Sequence, residues 1–187
     1  MTTYCPGEKI IPFASTLGGK AEEDILQLVA DHRQLGALCD LLECCADGLP
    51  ALPPVAIIER ICGALTKLCE EGEPNLPPYL EILQLYDTED PLAAVLVEQV
   101  HARRFADATH AQDLVDALRG DLDMADRLSS NTLGYMLRCF FDGSRQAMDC
   151  EELAILTLAR HRLSTSTRSM LIDSLRVRAR GRRFSLV

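Results

Sequence analysis

Five side chains are of types that could bind a metal ion together: His32, Cys69, Glu73, His101 and Glu151. Imidazole and carboxylate suit iron, manganese or zinc, and a thiolate shifts the preference towards softer ions. His32 lies on an apolar stripe, after Leu28 and Val29 and before Leu35. His101 sits between Val97 and Phe105, four residues from each. Glu151 falls between Ala147 and Ile155, on a face expected to be buried, and Glu73 comes four residues after Cys69. An inward imidazole or carboxylate is costly unless it is hydrogen-bonded, paired or bound to a metal. The plainer reading of each histidine is a core residue satisfied by one hydrogen bond. Spacing alone is a weak guide, since four polar residues can be selected from any four helices.

Other reactive side chains suggest less. Of the eight cysteines, none forms a CxxC pair, which excludes zinc ribbons and thioredoxin-like motifs. Most lie within apolar helical patterns, where a free cysteine behaves as a small hydrophobe, and a disulfide framework is not expected in a reducing compartment. A thiol-based sensor would need two exposed cysteines of depressed pKa close together. His110, nine residues beyond His101, falls on the opposite side of the same helix. His161, between Arg160 and Arg162, reads as a cation near a helix C-terminus. There is no Ser-His-Asp pattern, phosphate loop or nucleotide fingerprint, and an enzyme is the less favoured reading.

These candidates must be positioned by helices. Residues 1–19 read as an irregular arm punctuated by Pro6, Pro12, Gly18 and Gly19. A first helix is expected over Ala21 to Ala46, with Ile25, Leu28, Val29, Leu35, Cys39 and Leu42 at steps of three and four. Glu22, Glu23 and Asp24 fall in its first turn, and Gly48 and Pro50 end it. A second starts near Pro54, carries Ile57, Ile58, Ile61, Leu65 and Leu68, and weakens at Gly72 and Pro74; a short turn follows over Pro78 to Leu85. Asp90–Pro91 caps a third that runs to Leu118. Gly120 and the Asp-rich stretch Asp121 to Asp126 precede a fourth over Ser130 to Arg160. A fifth, shorter helix begins after Ser164 or Thr165 and fades near Gly181, leaving 182–187 as a tail.

The composition agrees. The chain has 187 residues, 48% hydrophobic and 25% charged, enough for one domain with a sizeable core. Leu and Ala, both good helix formers, dominate. Four main helices with short connections predict an all-α fold: an antiparallel up-down four-helix bundle over residues 20–181 with an extra C-terminal helix. A net charge of −9 argues against nucleic-acid binding, although Arg176, Arg178, Arg180, Arg182 and Arg183 make the end of the chain basic. That end reads first as a dipole-complementing helix terminus and second as a contact for an acidic partner. No secretory signal or membrane span is expected, which predicts a cytoplasmic protein.

Four segments add a resemblance. Leu28 to Glu43, LVADHRQLGALCDLLE, resembles the first helix of hemerythrin-like HHE domains, in which an Asp/Glu-His-Arg opens a leucine-rich helix. Leu68 to Leu80, LCEEGEPNLPPYL, resembles the second-helix motif, with Cys69 at the family's His, Glu73 at its Glu and Pro78 at its Pro. Val97 to Arg104, VEQVHARR, is similar to the third-helix Glu-His motif through His101. Ser144 to Leu163, SRQAMDCEELAILTLARHRL, is similar to the fourth, with Ala147 at the His, Glu151 at the Glu and Thr157 at the Pro.

The resemblance implies the hemerythrin-like bundle. In a complete family site it implies two non-haem irons bridged by glutamates, with oxygen, nitric oxide or iron sensing or iron–sulfur repair as the role. Here His32, Glu73, His101 and Glu151 remain, while the two paired histidines have become Cys69 and Ala147. Ala147 binds nothing, Cys69 ligates only as a thiolate, and Pro74 disfavours helical geometry at Glu73. Two readings follow. One is a modified, incomplete site holding non-haem iron, mononuclear or dinuclear, in a gas-, redox- or metal-sensing role. The other is a metal-free regulatory or protein-interaction module, partnered by another protein or by a second copy of the chain.

Overall fold

The computed structural model describes residues 19–71, 91–120, 128–159 and 162–184. Among them all regular structure is helical: α1 (Gly19–Gly48), α2 (Val55–Glu71), α3 (Pro91–Arg119), α4 (Ser130–Leu158) and α5 (Thr165–Phe184). The arm before residue 19, Glu73, the turn at Pro78 to Leu85, the cap at Asp90, the Asp-rich stretch and His161 lie outside the described residues.

The helix ends follow local chemistry. The Pro54 carbonyl accepts from the N–H groups of Ile57 and Ile58 at the start of α2. Ser129 caps α4, its hydroxyl accepting from the Thr132 N–H at 3.1 Å. Ser164 does the same for α5 through the Thr167 N–H at 3.2 Å. The Ser164 N–H in turn donates to the Glu22 carboxylate at 2.9 Å, which ties the start of α5 to the first turn of α1. Past α3, Gly120 takes a positive φ of 42° and its N–H bonds the Asp116 carbonyl; this is the left-handed stop that glycine makes without strain. Helix α5 runs three residues beyond Gly181 into the expected tail.

The buried residues follow a mixture of steps of three and four, which holds a stripe on one helix face. On α1 they include Ile25, Leu28, His32, Cys39, Leu42 and Ala46; on α4, Leu133, Leu137, Phe140, Ser144, Met148, Glu151 and Ile155. Two apolar clusters result. The larger gathers Leu42, Ile61, Leu65, Leu114, Leu137 and Phe140, from α1 to α4. The smaller joins Ile25, Val29, Val97, Val100, Ile155 and Leu171, from α1, α3, α4 and α5.

Ion pairs cross the seam between α1 and α4 in ladder order. Arg145 reaches Asp40 and Glu43, each at 2.7 Å, and Arg138 reaches Asp47 at 2.9 Å, so residue numbers rise along α1 as they fall along α4. Arg145 also covers the Phe141 ring at 5.1 Å. These pairs are mostly exposed and individually weak. The polar site lies further along the same seam, between the two apolar clusters.

Candidate functional site

His32 and Glu151, both singled out by sequence, meet in the interior: His32 Nε2 lies 3.4 Å from Glu151 Oε2. The other ring nitrogen, Nδ1, is 2.8 Å from Oε1 of Glu152. All three residues are 5% exposed or less. An ionised carboxylate only accepts hydrogen bonds, so both imidazole nitrogens face acceptors, an arrangement that suits the doubly protonated ring. Burial alone depresses the His32 pKa, but the hydrogen bonds and charges of Glu151 and Glu152 outweigh it and raise it above 6.5.

Each carboxylate also has an arginine. Arg104 grips Glu151 with two parallel bonds, Nε to Oε1 at 2.9 Å and Nη2 to Oε2 at 2.8 Å. Such a fork is the strongest pairing available to a carboxylate. Burial works against Glu151 ionisation, yet His32 and Arg104 bring its pKa down to about 2. Arg178 of α5 lies 2.8 Å from Glu152 Oε2 and bonds Asp149 through Nε at 2.8 Å. The Ser174 hydroxyl donates to Glu152 at 3.0 Å and accepts from Arg178 Nη1 at 2.9 Å. Against the cost of burial, His32 and Arg178 hold the Glu152 pKa below its ordinary value too.

The remaining expected ligands are placed differently. His101 is exposed, as is Phe105, so the expectation that both face inward is corrected. The inward line of α3 is Ala93, Val97, Val100, Ala111, Leu114 and Leu118, and continuing its alternation passes through Arg104 and Asp107. Stepping from Val97 to His101 to Phe105 uses two consecutive fours, each turning about 40° off the face. Cys69 is half-buried and its thiol donates to the Ala108 carbonyl at 3.5 Å. Burial pushes that thiol up, as it does Cys45 and Cys62, and takes Cys39 to about 12. His110 is exposed, as expected.

Two pockets flank the charged cluster, and His32 lines both. One, about 210 Å³, lies inside α1 to α4 and is bordered by Glu151, Arg104, Ser144 and Ala147. The other, about 540 Å³, is a groove between α1, α4 and α5 bordered by Gly36, Arg145, Ser174 and Arg178.

Of the expected donors, Glu73 lies outside the described residues, and His101 is turned away from His32 and Glu151. Among the described residues no three His, Cys, Asp or Glu side chains are grouped to hold an ion, and the Glu151 carboxylate beside His32 is gripped by Arg104. Arg104, Glu152 and Arg178 were not singled out by sequence reasoning. The signal for Arg104 was present, as a cation on the alternating line of α3; for Arg178 there was none before α5 docked. Among the described residues no helix is long and apolar enough to cross a membrane.

No protein-family model, curated protein or solved structure matches this chain.

Proposed function

We propose that the chain is an antiparallel up-down four-helix bundle of hemerythrin-like layout, extended by α5, which works as a metal-free regulatory or interaction module. The observation that carries this reading is the Arg104 fork on Glu151. A guanidinium supplies the positive charge that a bound cation would otherwise bring to the buried carboxylate, and it takes both oxygens. Asp149, Glu151 and Glu152 are then matched by Arg104, Arg178 and protonated His32, so the interior needs no ion for neutrality.

The other reading, a mononuclear iron centre in a sensing role, draws support from the adjacency of His32 and Glu151. It requires Arg104 to leave Glu151. The readings part in metal analysis of protein purified without chelators and then reconstituted with ferrous iron, manganese or zinc. The metal-free module predicts far less than one ion per chain, unchanged in His32→Ala. One ion per chain that is lost in His32→Ala or Glu151→Gln would overturn it.

A further inference from the structure

We propose that the inner pocket binds a small, neutral, mostly apolar molecule that carries a single hydroxyl group. This rests on the metal-free reading of the site. The pocket's volume of about 210 Å³ exceeds the roughly 150 Å³ of an engineered cavity that accepts benzene. Its walls are largely apolar, with Leu35, Leu38 and Leu68 on one side and Phe140, Ala147 and Met148 on the other. Ala147 is what leaves the space open on the α4 side.

The polar groups in the wall decide the ligand's charge. Arg104 is committed to Glu151. Asp107 lies 2.9 Å from Arg103, and Lys67, at the exposed rim, is engaged too. Asp31, at the exposed rim, accepts from the Gln27 amide, and an ion entering deeper would have to break an existing pair. Two buried oxygens bordering the pocket lack a hydrogen bond among the described residues: Asp107 Oδ1, whose charge is matched by Arg103, and one neutral group. The Ser144 hydroxyl is 1% exposed, borders the pocket and has no hydrogen-bond partner. A buried unpartnered hydroxyl is a standing cost that a guest with one donor or acceptor removes. A hydroxyl on the guest suits it, since either oxygen can donate to the other.

The test titrates the full chain with phenol, toluene, benzoate and benzylamine, following the methyl groups of Leu35, Leu68 and Met148 by NMR. Phenol and toluene are expected to bind saturably and the two ions not to. Ser144→Ala should weaken phenol about tenfold, the worth of one hydrogen bond, while toluene stays within about twofold. Ala147→Phe should block both; if that variant does not fold, the Ser144→Ala comparison still decides. Absence of saturable binding by phenol, tighter binding of benzoate or benzylamine, or phenol affinity unchanged in Ser144→Ala would each overturn the proposal. Metal content is measured on the same sample. Metal-free protein that ignores phenol sinks the pocket proposal alone, whereas one ion per chain sinks the reading beneath it.

Discussion

A histidine between two glutamates gives the interior its own pH dependence. The pKa values of Glu151 and Glu152 lie below the ordinary 4.5, so the stability they contribute is complete above that value. It is lost as the pH falls, for Glu151 towards about 2. The His32 pKa is raised, so its contribution is full below 6.5 and disappears as the pH climbs past the raised value. Stability should therefore fall on the alkaline side, seen as a declining urea midpoint between about pH 6 and pH 9. His32→Gln should flatten that decline, and an unchanged slope in the variant would assign it to another group. At this scale the sequence disclosed His32 and Glu151, because each interrupts an apolar stripe. It concealed Glu152, which adjoins Glu151 but faces a partner on another helix.

Helices were the most legible level. The regular alternation along α1 and the serine and proline signals at helix starts led to boundaries within a few residues of those observed. The phase of α3 was harder. Its apolar line is interrupted by two charged residues, Arg104 and Asp107, just where the site lies, and a parallel line through His101 looked as good. Which line faces inward depends on the flanking turns, where Val100 and Ala111 are buried. Helix ends also set local stability. Gly120→Ala should cost about 1 kcal/mol, because a side chain there strains the positive φ; among the described residues its added Cβ would meet only the Ala117 carbonyl, at 3.9 Å. Gly120→Asn should recover part of the loss, since asparagine tolerates this region better. Thermal melts of the two variants provide the comparison, and equal melting temperatures would mean that α3 ends some other way.

Across the whole molecule, polar anchors join α5 to the other helices. Arg178 and Ser174 hold it to α4, and Glu22 of α1 holds its start through Ser164. Arg178→Ala should leave Glu152 with His32 and the Ser174 hydroxyl and speed amide exchange over Thr165–Phe184 by about tenfold or more, with α2 and α3 unchanged. Uniform acceleration would instead mean that α5 belongs to one cooperative unit with the rest. No pattern within α5 announced this anchoring. Its arginines looked alike in sequence, and docking alone distinguishes Arg178, mostly buried, from the exposed Arg176 and Arg180.

The matched charges inside the protein limit how its sequence can drift. Arg104 and Glu151 lie on different helices, 47 positions apart, yet replacing either alone is costly. Loss of the arginine leaves the buried carboxylate without its two-bond partner, and loss of the carboxylate takes the acceptor from both the guanidinium and His32 Nε2. An apolar pair of similar volume would be tolerated in their place, but only if both positions changed together. Glu152 and Arg178 are coupled less tightly, since each keeps other partners, Glu152 in His32 and Ser174 and Arg178 in Asp149. Substitution in this interior is thus a matter of correlated exchange, with each half-step less stable than either end.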